Sequence, residues 1–127
     1  MIDLDGFKQV NDKRGHMYGD RLLVRVAEAL RAGTRETDVI GRPGGDEFLM
    51  LLCDTRLPEA ELAVARILER VRAAGASSDG APPVTASVGL VAAVPEDDVA
   101  AMLHRADKRC YQAKRAGGDR VVATEVS

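Results

Sequence analysis

At 127 residues, of which 46% are hydrophobic and 30% charged, the chain has the size and composition of one globular domain. A net charge of -2 gives no reason to expect a nucleic acid as partner, and 3% aromatic residues leave few platforms for base stacking. No apolar run approaches the roughly 18 residues that span a membrane. We therefore expect no membrane contact by this domain and a cytoplasmic location, either alone or as the cytoplasmic part of a larger sensor protein.

The chain begins with a short strand and two helical segments. Residues 1–5 are typical of the end of a buried strand, and because so few residues precede the turn we expect a fragment that lacks its upstream segment. Residues 7–12 predict a short helix or turn that Gly15 ends. Residues 18–32 predict an amphipathic helix that Gly33 ends. The apolar face of this helix consists of Leu22, Leu23, Val26, Ala27 and Leu30.

A turn-forming segment joins the next two β-favouring runs, residues 38–41 and 48–53. The segment reads Arg42-Pro43-Gly44-Gly45-Asp46-Glu47, and it predicts a β-hairpin because glycine supplies the positive φ angles of tight turns. Asp46 and Glu47 then lie at the mouth of the hairpin. An ordinary turn with solvated carboxylates is the plain alternative.

The second half of the chain predicts two further helices and two further strands. Pro58 stands where the first turn of a helix tolerates proline, and residues 73–83 have the composition of a loop. Residues 84–91 predict a strand covered on both faces, and residues 120–124 predict the last strand. The helix after Pro58 has a predicted apolar face of Leu62, Ala65, Leu68 and Val71.

The last predicted helix begins at a cap, Asp97 or Asp98, and ends at Gly117. The resulting order β-α-α-β-β-α-β-α-β predicts an α+β fold with helices packed on an antiparallel or mixed sheet, as a single domain over residues 1–127. Cys53 and Cys110 lack metal-ligand spacing, so we expect buried free thiols. The helix has a predicted apolar face of Val99, Met102, Leu103, Ala106, Cys110 and Ala113.

Three carboxylates and two lysines have the chemistry of a nucleotide site. Asp3 with Asp46 or Glu47 suits Mg²⁺, which prefers oxygen ligands from one or two carboxylates together with substrate phosphates. Lys8 and Lys114 are the candidate phosphate-binding cations. Spacing alone leaves an alternative open. In that alternative the acidic residues belong to exposed turns that never meet, and the lysines to a helix face that is simply exposed to solvent.

Taken together, these motifs resemble the GGDEF family of diguanylate cyclases over nearly the whole chain. The resemblance implies a central five-stranded sheet flanked by helices, akin to nucleotidyl cyclase and polymerase palm domains, with the N-terminal strand and helix truncated. The matching residues are, in order, Asp3-Leu4-Asp5-Gly6-Phe7-Lys8, Asn11-Asp12, Gly15-His16, Gly19-Asp20, Arg42 to Phe48, Ser87-Val88-Gly89, Ala106-Asp107, Tyr111, Ala113-Lys114 and Gly117.

The resemblance also implies an activity, which is the condensation of two GTP molecules into cyclic di-GMP with release of pyrophosphate in bacterial signalling. Each domain of a homodimer would supply one half-site. Asp3, the carbonyl of Leu4 and Asp46 would bind Mg²⁺ or Mn²⁺, with Glu47 as a further ligand. Asp46 would accept the proton of the attacking 3′-hydroxyl, and Lys8 would stabilise charge on the α-phosphate.

The same resemblance implies a guanine pocket. Asn11 and Asp20 would read the base edge, because a carboxylate accepts from guanine N–H groups while an amide both donates and accepts. His16 would line the pocket, and two glycines of the hairpin would let the backbone approach the nucleotide. The implied substrate-binding set is Gly6, Phe7, Asn11, His16, Asp20, Gly44, Gly45 and Lys114.

A second site is implied by Arg35-Glu36-Thr37-Asp38, which has the RxxD pattern of the family's inhibitory product site. There, Arg35 and Asp38 would bind cyclic di-GMP, since arginine grips a phosphate or guanine edge with its planar fork. Arg66 on the next helix would assist, with Arg70 as the alternative. A solvated loop is the plain reading of the same four residues.

Two positions depart from the family pattern. Pro43 replaces the usual aromatic residue, and Gly118 stands where a phosphate-binding arginine belongs, with Arg115 or Arg120 as possible replacements. A catalytically weak domain that binds GTP or cyclic di-GMP and regulates a partner is therefore the alternative function. A purely structural sandwich would leave the ordered matches unexplained.

Overall fold

The computed structural model describes residues 1–76 and 83–123, and these follow the predicted order of strands and helices. The predicted loop at residues 73–83 and the end of the predicted last strand, Thr124, fall partly or wholly outside the described residues. The elements are β1 (Ile2–Asp5), α1 (Phe7–Arg14), α2 (His16–Ala32), β2 (Val39–Gly44), β3 (Glu47–Leu51), α3 (Leu57–Gly75), β4 (Thr85–Gly89), α4 (Val99–Arg115) and β5 (Arg120–Val122).

The described strands form one five-stranded mixed sheet in the order β2-β3-β1-β4-β5. β1 is the central strand and runs antiparallel to both of its neighbours, β3 and β4. β5 runs parallel to β4. The α+β fold with a five-stranded sheet, expected from the resemblance, is confirmed.

Successive residues of β1 point to opposite faces of the sheet. Ile2 and Leu4 join the apolar core, in which α2 and α3 pack together. Asp3 and Asp5 point the other way, toward α4. The central strand therefore carries core residues on one face and carboxylates on the other. The predicted core face of α2 is confirmed, with Leu22, Leu23, Val26 and Leu30 buried and Ala27 packed at its edge.

The predicted core face of α3 is half wrong. Leu62 is 63% exposed and Ala65 is also exposed, whereas Leu68 and Val71 are buried as expected. A repeat of three residues slips by roughly 60° per step around a helix with 3.6 residues per turn, so it cannot follow one face. The face that packs on the core is formed by Ala60, Val64, Ile67, Leu68 and Val71.

The last helix packs on β4 and β5 and is capped as predicted. The Asp98 carboxylate accepts a hydrogen bond of 2.7 Å from the amide of Ala101. Val99 was expected in the apolar face but is 69% exposed, because it lies in the first turn before the helix reaches the sheet. Met102 and Leu103 are half-buried, and Ala106, Cys110 and Ala113 are buried.

The strand β4 is covered on both faces, as expected from its sequence, since four of its five residues are buried. Cys110 is a buried free thiol, and burial raises its pKa to about 11. Cys53 is also free but only half-buried, so the prediction of burial is wrong there. Among the described helices, none has both the length and the apolar character needed to cross a membrane.

Candidate functional site

The hairpin between β2 and β3 lies beside β1, and this contact brings the predicted carboxylates together. Asp3 and Glu47 are directly opposite each other in the antiparallel pairing of β1 with β3. Side chains in such pairs share a face, with Cβ atoms roughly 5 Å apart. The amide of Leu4 donates a hydrogen bond of 3.0 Å to the carbonyl of Asp46. The two acidic segments, which spacing alone could not place, are therefore neighbours.

The charge of this cluster affects the pKa of Asp3. Burial raises the pKa of Asp3, the ammonium of Lys114 opposes that shift, and the nearby Asp46 and Glu47 raise it again, so that it stands above its usual value. Like charges facing each other across a strand pair are unfavourable unless a cation lies between them. The negative charge of this cluster therefore favours the binding of a cation.

Lys114 supplies a cation at this position. Its Nζ lies 3.3 Å from Oδ1 of Asp3 and 3.4 Å from the carbonyl oxygen of Leu4. Both oxygens belong to the expected metal ligands, and hard oxygen donors of this kind suit Mg²⁺. Within residues 1–76 and 83–123, no group of three or more His, Cys, Asp or Glu side chains could hold a metal by itself. The donor set fits a metal that takes its other ligands from the substrate.

Asp5 is a polar centre of this region that the sequence analysis did not single out. Its carboxylate accepts hydrogen bonds from the hydroxyls of Ser87 (2.7 Å) and Thr85 (2.9 Å), from the amide of Asp119 (2.9 Å) and from Lys114 (3.2 Å). Burial alone would raise the pKa of Asp5, but these donors hold it below its usual value. The signal in the sequence is the alternation of polar residues at matching positions on two buried strands.

The turn before β5 is built against Asp5. Gly118 has a φ of 72°, and a Cβ added there would lie 2.7 Å from a carboxylate oxygen of Asp5. An arginine at this position would need a different turn. Of the two replacements considered, Arg120 folds back so that its Nε donates to the carbonyl of Gly118 (2.9 Å), while Arg115 stacks on Tyr111.

Pro43 lies in β2, which is an edge strand of the described sheet. The pairing of β2 with β3 shifts register between Gly41 and Gly44. An edge strand with a bulge is where a sheet accepts a residue that lacks an amide donor. The proline therefore fits the hairpin without removing a ladder hydrogen bond that a central strand would need.

The predicted base-reading residues lie on α1 and α2. The Asn11 Nδ2 and the His16 Nδ1 are 2.9 Å apart. Gly19 allows this approach, because a Cβ there would lie 2.2 Å from Oδ1 of Asn11. Asp20, next to Gly19, is exposed. The structure thus brings Asn11 of α1 and His16 of α2 into contact.

Asp20 lines a cleft of about 350 Å³ between α2 and the hairpin. Arg42, which was singled out only as part of the hairpin, lines the other side, and its Nε donates to the carbonyl of Gly44 (3.2 Å). The remaining lining is largely apolar. The cleft joins a carboxylate, a guanidinium and apolar walls, which is a suitable setting for a purine base. The other lining residues are Leu23, Val24, Ala27, Ile40, Gly41 and Phe48.

Four further predicted residues occupy simpler positions. Lys8 is exposed on α1 and has no ion-pair partner in the described part of the chain. Gly6 caps α1 in a left-handed conformation, with a φ of 75°. Phe7 is buried, so its side chain belongs to the core and only its backbone is available to a ligand. Gly45 is exposed at the tip of the hairpin.

The predicted second site is a tightly bonded turn. Asp38, only 6% exposed, accepts hydrogen bonds from the amides of Arg35 (2.9 Å) and Cys53 (3.1 Å). Burial would raise the pKa of Asp38, but these amides and the Arg35 charge hold it below its usual value. The Arg35 guanidinium reaches the Cys53 carbonyl (2.5 Å) and the Thr55 hydroxyl (2.6 Å).

Arg66 and Arg70 lie on the exposed face of α3. Among the described residues, neither forms a hydrogen bond or an ion pair with Arg35 or Asp38. The structure therefore brings together the two residues of the RxxD pattern, and in the described part of the chain neither candidate arginine is bonded to them.

Comparison with known proteins matches residues 1–120 to the family model of the diguanylate cyclase GGDEF domain. The chain is 41% identical over 126 residues to the diguanylate cyclase DgcP of Pseudomonas aeruginosa, covering 95% of this chain and 18% of that protein. It is 40% identical over 118 residues to the cyclic di-GMP phosphodiesterase PdeR of Escherichia coli, covering 91% of this chain and 18% of that protein.

Among solved structures, the chain is similar to the diguanylate cyclase SiaD of Pseudomonas aeruginosa, determined in complex with its activator SiaC. The TM-score is 0.88 at 42% sequence identity, over 97% of this chain and 48% of the SiaD chain. The chain spans less than half the length of these relatives. The likeness therefore concerns one domain of longer proteins.

Proposed function

This chain belongs to the GGDEF domain family of diguanylate cyclases, and from that premise we propose that it condenses two GTP molecules into cyclic di-GMP with release of two pyrophosphates. The observation that carries the proposal is the meeting of β1 with the hairpin. Asp3 pairs with Glu47, and the Leu4 amide donates to the Asp46 carbonyl, so that Asp46 and Glu47 lie close enough to Asp3 to raise its pKa. A purely structural sandwich would not require this concentration of like charge.

The Asp3 carboxylate, the Leu4 carbonyl and the Asp46 carboxylate would hold Mg²⁺ or Mn²⁺, with Glu47 as a further ligand. Such an ion offsets phosphate charge and lowers the pKa of an attacking hydroxyl. The position of the Lys114 ammonium against Asp3 and Leu4 supports this assignment, because it marks where these oxygens receive a positive charge.

The chain's own groups supply the remaining steps. The 3′-oxygen of one GTP forms a bond to the α-phosphorus of the other, the bond to pyrophosphate breaks, and the hydroxyl proton passes to the carboxylate of Asp46. Lys8 offsets charge on the α-phosphate, and Lys114 binds the departing phosphates. Two such steps close the ring, so each of two domains in a homodimer contributes one nucleotide.

Guanine is held by the polar ends of α1 and α2. Asn11 and Asp20 pair with the base edge, and His16, hydrogen-bonded to Asn11, fixes the amide orientation. The backbone of Gly6 and Phe7 at the start of α1 and that of Gly44 and Gly45 in the hairpin approach the phosphates. We place this chemistry in the cytoplasm, where GTP is available.

The test is incubation of the purified chain with GTP and Mg²⁺, or with Mn²⁺, followed by chromatography of the nucleotides. We expect cyclic di-GMP from the parent and at least about a thousandfold less from Asp46→Asn, which removes the proton acceptor but keeps the shape. Asp12→Asn, an exposed carboxylate on α1, is the matched control. A folded parent that makes no product would refute the activity.

A second candidate is a domain that binds GTP or cyclic di-GMP without turning GTP over. The observation that favours it is Gly118, whose turn excludes the expected arginine from its position beside Asp5. The sequence similarity to PdeR, which is named a cyclic di-GMP phosphodiesterase, is compatible with a GGDEF domain that has a regulatory role. Saturable binding of GTP together with absent product would select this function.

The RxxD turn is proposed as a product-binding site. Support comes from the side chain of Arg35, which is 58% exposed while its partner Asp38 is buried and fixed. We expect Arg35→Ala to relieve inhibition by added cyclic di-GMP and to leave the initial rate unchanged. Arg66→Ala and Arg70→Ala, compared side by side, identify the assisting arginine. Unchanged inhibition in Arg35→Ala would contradict the assignment.

A further inference from the structure

The ammonium of Lys114 touches three oxygens at once. Nζ lies 3.3 Å from Oδ1 of Asp3, 3.4 Å from the carbonyl oxygen of Leu4 and 3.2 Å from Oδ1 of Asp5. The first two oxygens are proposed ligands of the divalent ion. The third belongs to a carboxylate that is held by donors of its own. Lys114 therefore has one partner outside the metal site and two partners inside it.

A lysine and a divalent cation cannot both use the Asp3 and Leu4 oxygens as they stand. The two positive charges would be only a few ångströms apart, where their repulsion outweighs the gain from shared oxygens. The ammonium must leave before the metal enters. What draws it away is another anion within reach of its flexible stem, and the triphosphate of GTP is such an anion.

We propose that Lys114 is the resident cation of this site and that the metal enters together with the nucleotide. The ammonium holds Asp3 and Leu4 until a triphosphate arrives, then turns toward the phosphates and leaves these oxygens to the metal. The inference rests on the proposed function, because it takes the site to bind a metal with a nucleoside triphosphate. It adds an order of binding: the metal alone has low affinity.

Asp5 is the pivot of this exchange. Ser87, Thr85 and the amide of Asp119 hold its carboxylate in place whether or not the ammonium is present. Lys114 therefore keeps one fixed partner while it exchanges the other two. The scarcity of side-chain ligands in the described chain agrees with this order, because a metal that needs phosphate oxygens gains little by binding first.

The experiment measures Mn²⁺ binding by electron paramagnetic resonance on the 127-residue chain, without nucleotide. We expect weak binding in the parent and binding about tenfold tighter in Lys114→Met, because removal of a nearby like charge favours the metal. Lys114→Arg keeps the charge and is expected to bind as weakly as the parent. Lys108→Met, an exposed lysine of the same helix, controls for net charge. Circular dichroism verifies that each variant is folded.

Two additions make the result specific. Asp3→Asn combined with Lys114→Met should abolish the gain, which shows that the ion is at this site rather than at surface carboxylates. A non-hydrolysable GTP analogue should increase the Mn²⁺ affinity of the parent at least about tenfold and that of Lys114→Met by less. Equal Mn²⁺ affinity in the parent and Lys114→Met, or no Mn²⁺ binding in either, would overturn the inference.

The outcome is separable from the cyclase assay because Mn²⁺ binding requires no product. A chain that shows the predicted Mn²⁺ affinities and yet forms no cyclic di-GMP refutes the activity and keeps the binding order. A chain that forms product while Lys114→Met leaves Mn²⁺ affinity unchanged refutes the binding order alone.

Discussion

Two aspartates, Asp5 and Asp38, organise two different regions by similar means. Asp38 is buried and Asp5 is half-buried, each accepts several hydrogen bonds, and each has a pKa held below its usual value against the effect of burial. The donors differ, however. Those of Asp38 are mainly backbone amides of its own turn and of Cys53 just after β3, whereas those of Asp5 come from β4, α4 and the turn before β5.

The difference shows what a carboxylate does in each place. Asp38 closes a turn, so its contribution is local and concerns the shape of the loop that presents Arg35. Asp5 joins β1 to β4, to α4 and to the turn before β5 through its hydrogen bonds. One of its donors, Lys114, also contacts the proposed metal ligands. Loss of Asp5 should therefore change both stability and function, and loss of Asp38 chiefly stability.

The largest effect is expected from Asp5→Ala. It leaves Ser87, which is fully buried, without its acceptor and releases Lys114 and the turn at Asp119. We expect the free energy of unfolding to fall by about 3 kcal/mol and nucleotide turnover to fall with it. Urea denaturation measures the first and the cyclic di-GMP assay the second. A loss of under about 1 kcal/mol would mean that water replaces the carboxylate.

Gly118→Ala tests the packing of the turn before β5 against the carboxylate of Asp5. The added Cβ meets the Asp5 carboxylate at 2.7 Å, and the positive φ of 72° is strained for alanine. We expect a loss of about 2 kcal/mol in the free energy of unfolding, with no gain in activity from Gly118→Arg. Gly15→Ala, at a φ of 90° where a Cβ meets nothing within 4 Å, is the matched control. Equal stability of the two alanine variants would contradict the packing argument.

Asp38→Ala sharpens the contrast. It leaves the amides of Arg35 and Cys53 without acceptors in a half-buried turn, which should cost about 1–2 kcal/mol. Turnover per folded molecule should stay near the parent value, because the hydrogen bonds and ion pair of Asp38 within the described part of the chain go to Arg35 and Cys53 and not to the carboxylate cluster. Thermal unfolding and the initial rate at low product give the two quantities. A rate that falls as far as in Asp5→Ala would erase the proposed difference between the regions.

The smallest expected effect is the loss of the stability contributed by Asp38 at acidic pH. Because the folded pKa of Asp38 is below its unfolded value of roughly 3.9, its stabilising contribution is present above that pH and is lost as pH falls through the folded pKa. The difference in urea midpoint between the parent and Asp38→Asn should therefore shrink as pH falls from about 5 to about 2. A difference that stays constant over this range would show that Asp38 does not stabilise the fold through its charge.

Much of this architecture can be predicted from local sequence. The hairpin residues Gly44 and Gly45, the cap Asp98 and the periodic face of α2 each act over a few positions, so the sequence shows them directly. The predicted apolar face of α3 is wrong because residues spaced by three drift around the helix and do not stay on one side. By that spacing Leu62 is as good a core candidate as Val64, although only Val64 is buried. Which side of the helix packs on the core is decided by contacts with parts of the chain that are distant in sequence.

The site depended most on such pairing. That Asp3 lies opposite Glu47 follows from register between strands more than forty residues apart, which no local rule supplies. Asp5 was passed over because its partners, Thr85 and Ser87, are remote in sequence. The sequence predicts a ligand site at the RxxD turn, and the hydrogen bonds from Arg35 to Cys53 and Thr55 show that the same turn also has a structural role.

The central position of β1 also bears on how the chain folds. Both neighbours of β1 in the sheet follow it in the chain, and its Asp5 meets Thr85 across 80 positions of sequence. The sheet cannot close until β4 has been made, so helices α1 to α3 must form around an incomplete centre. Contacts of such long range slow folding toward milliseconds or seconds and leave the edges of β1 exposed meanwhile. The strand that carries Asp3 and Asp5 is thus also the one whose pairing with β4 spans the longest stretch of sequence among the described strands.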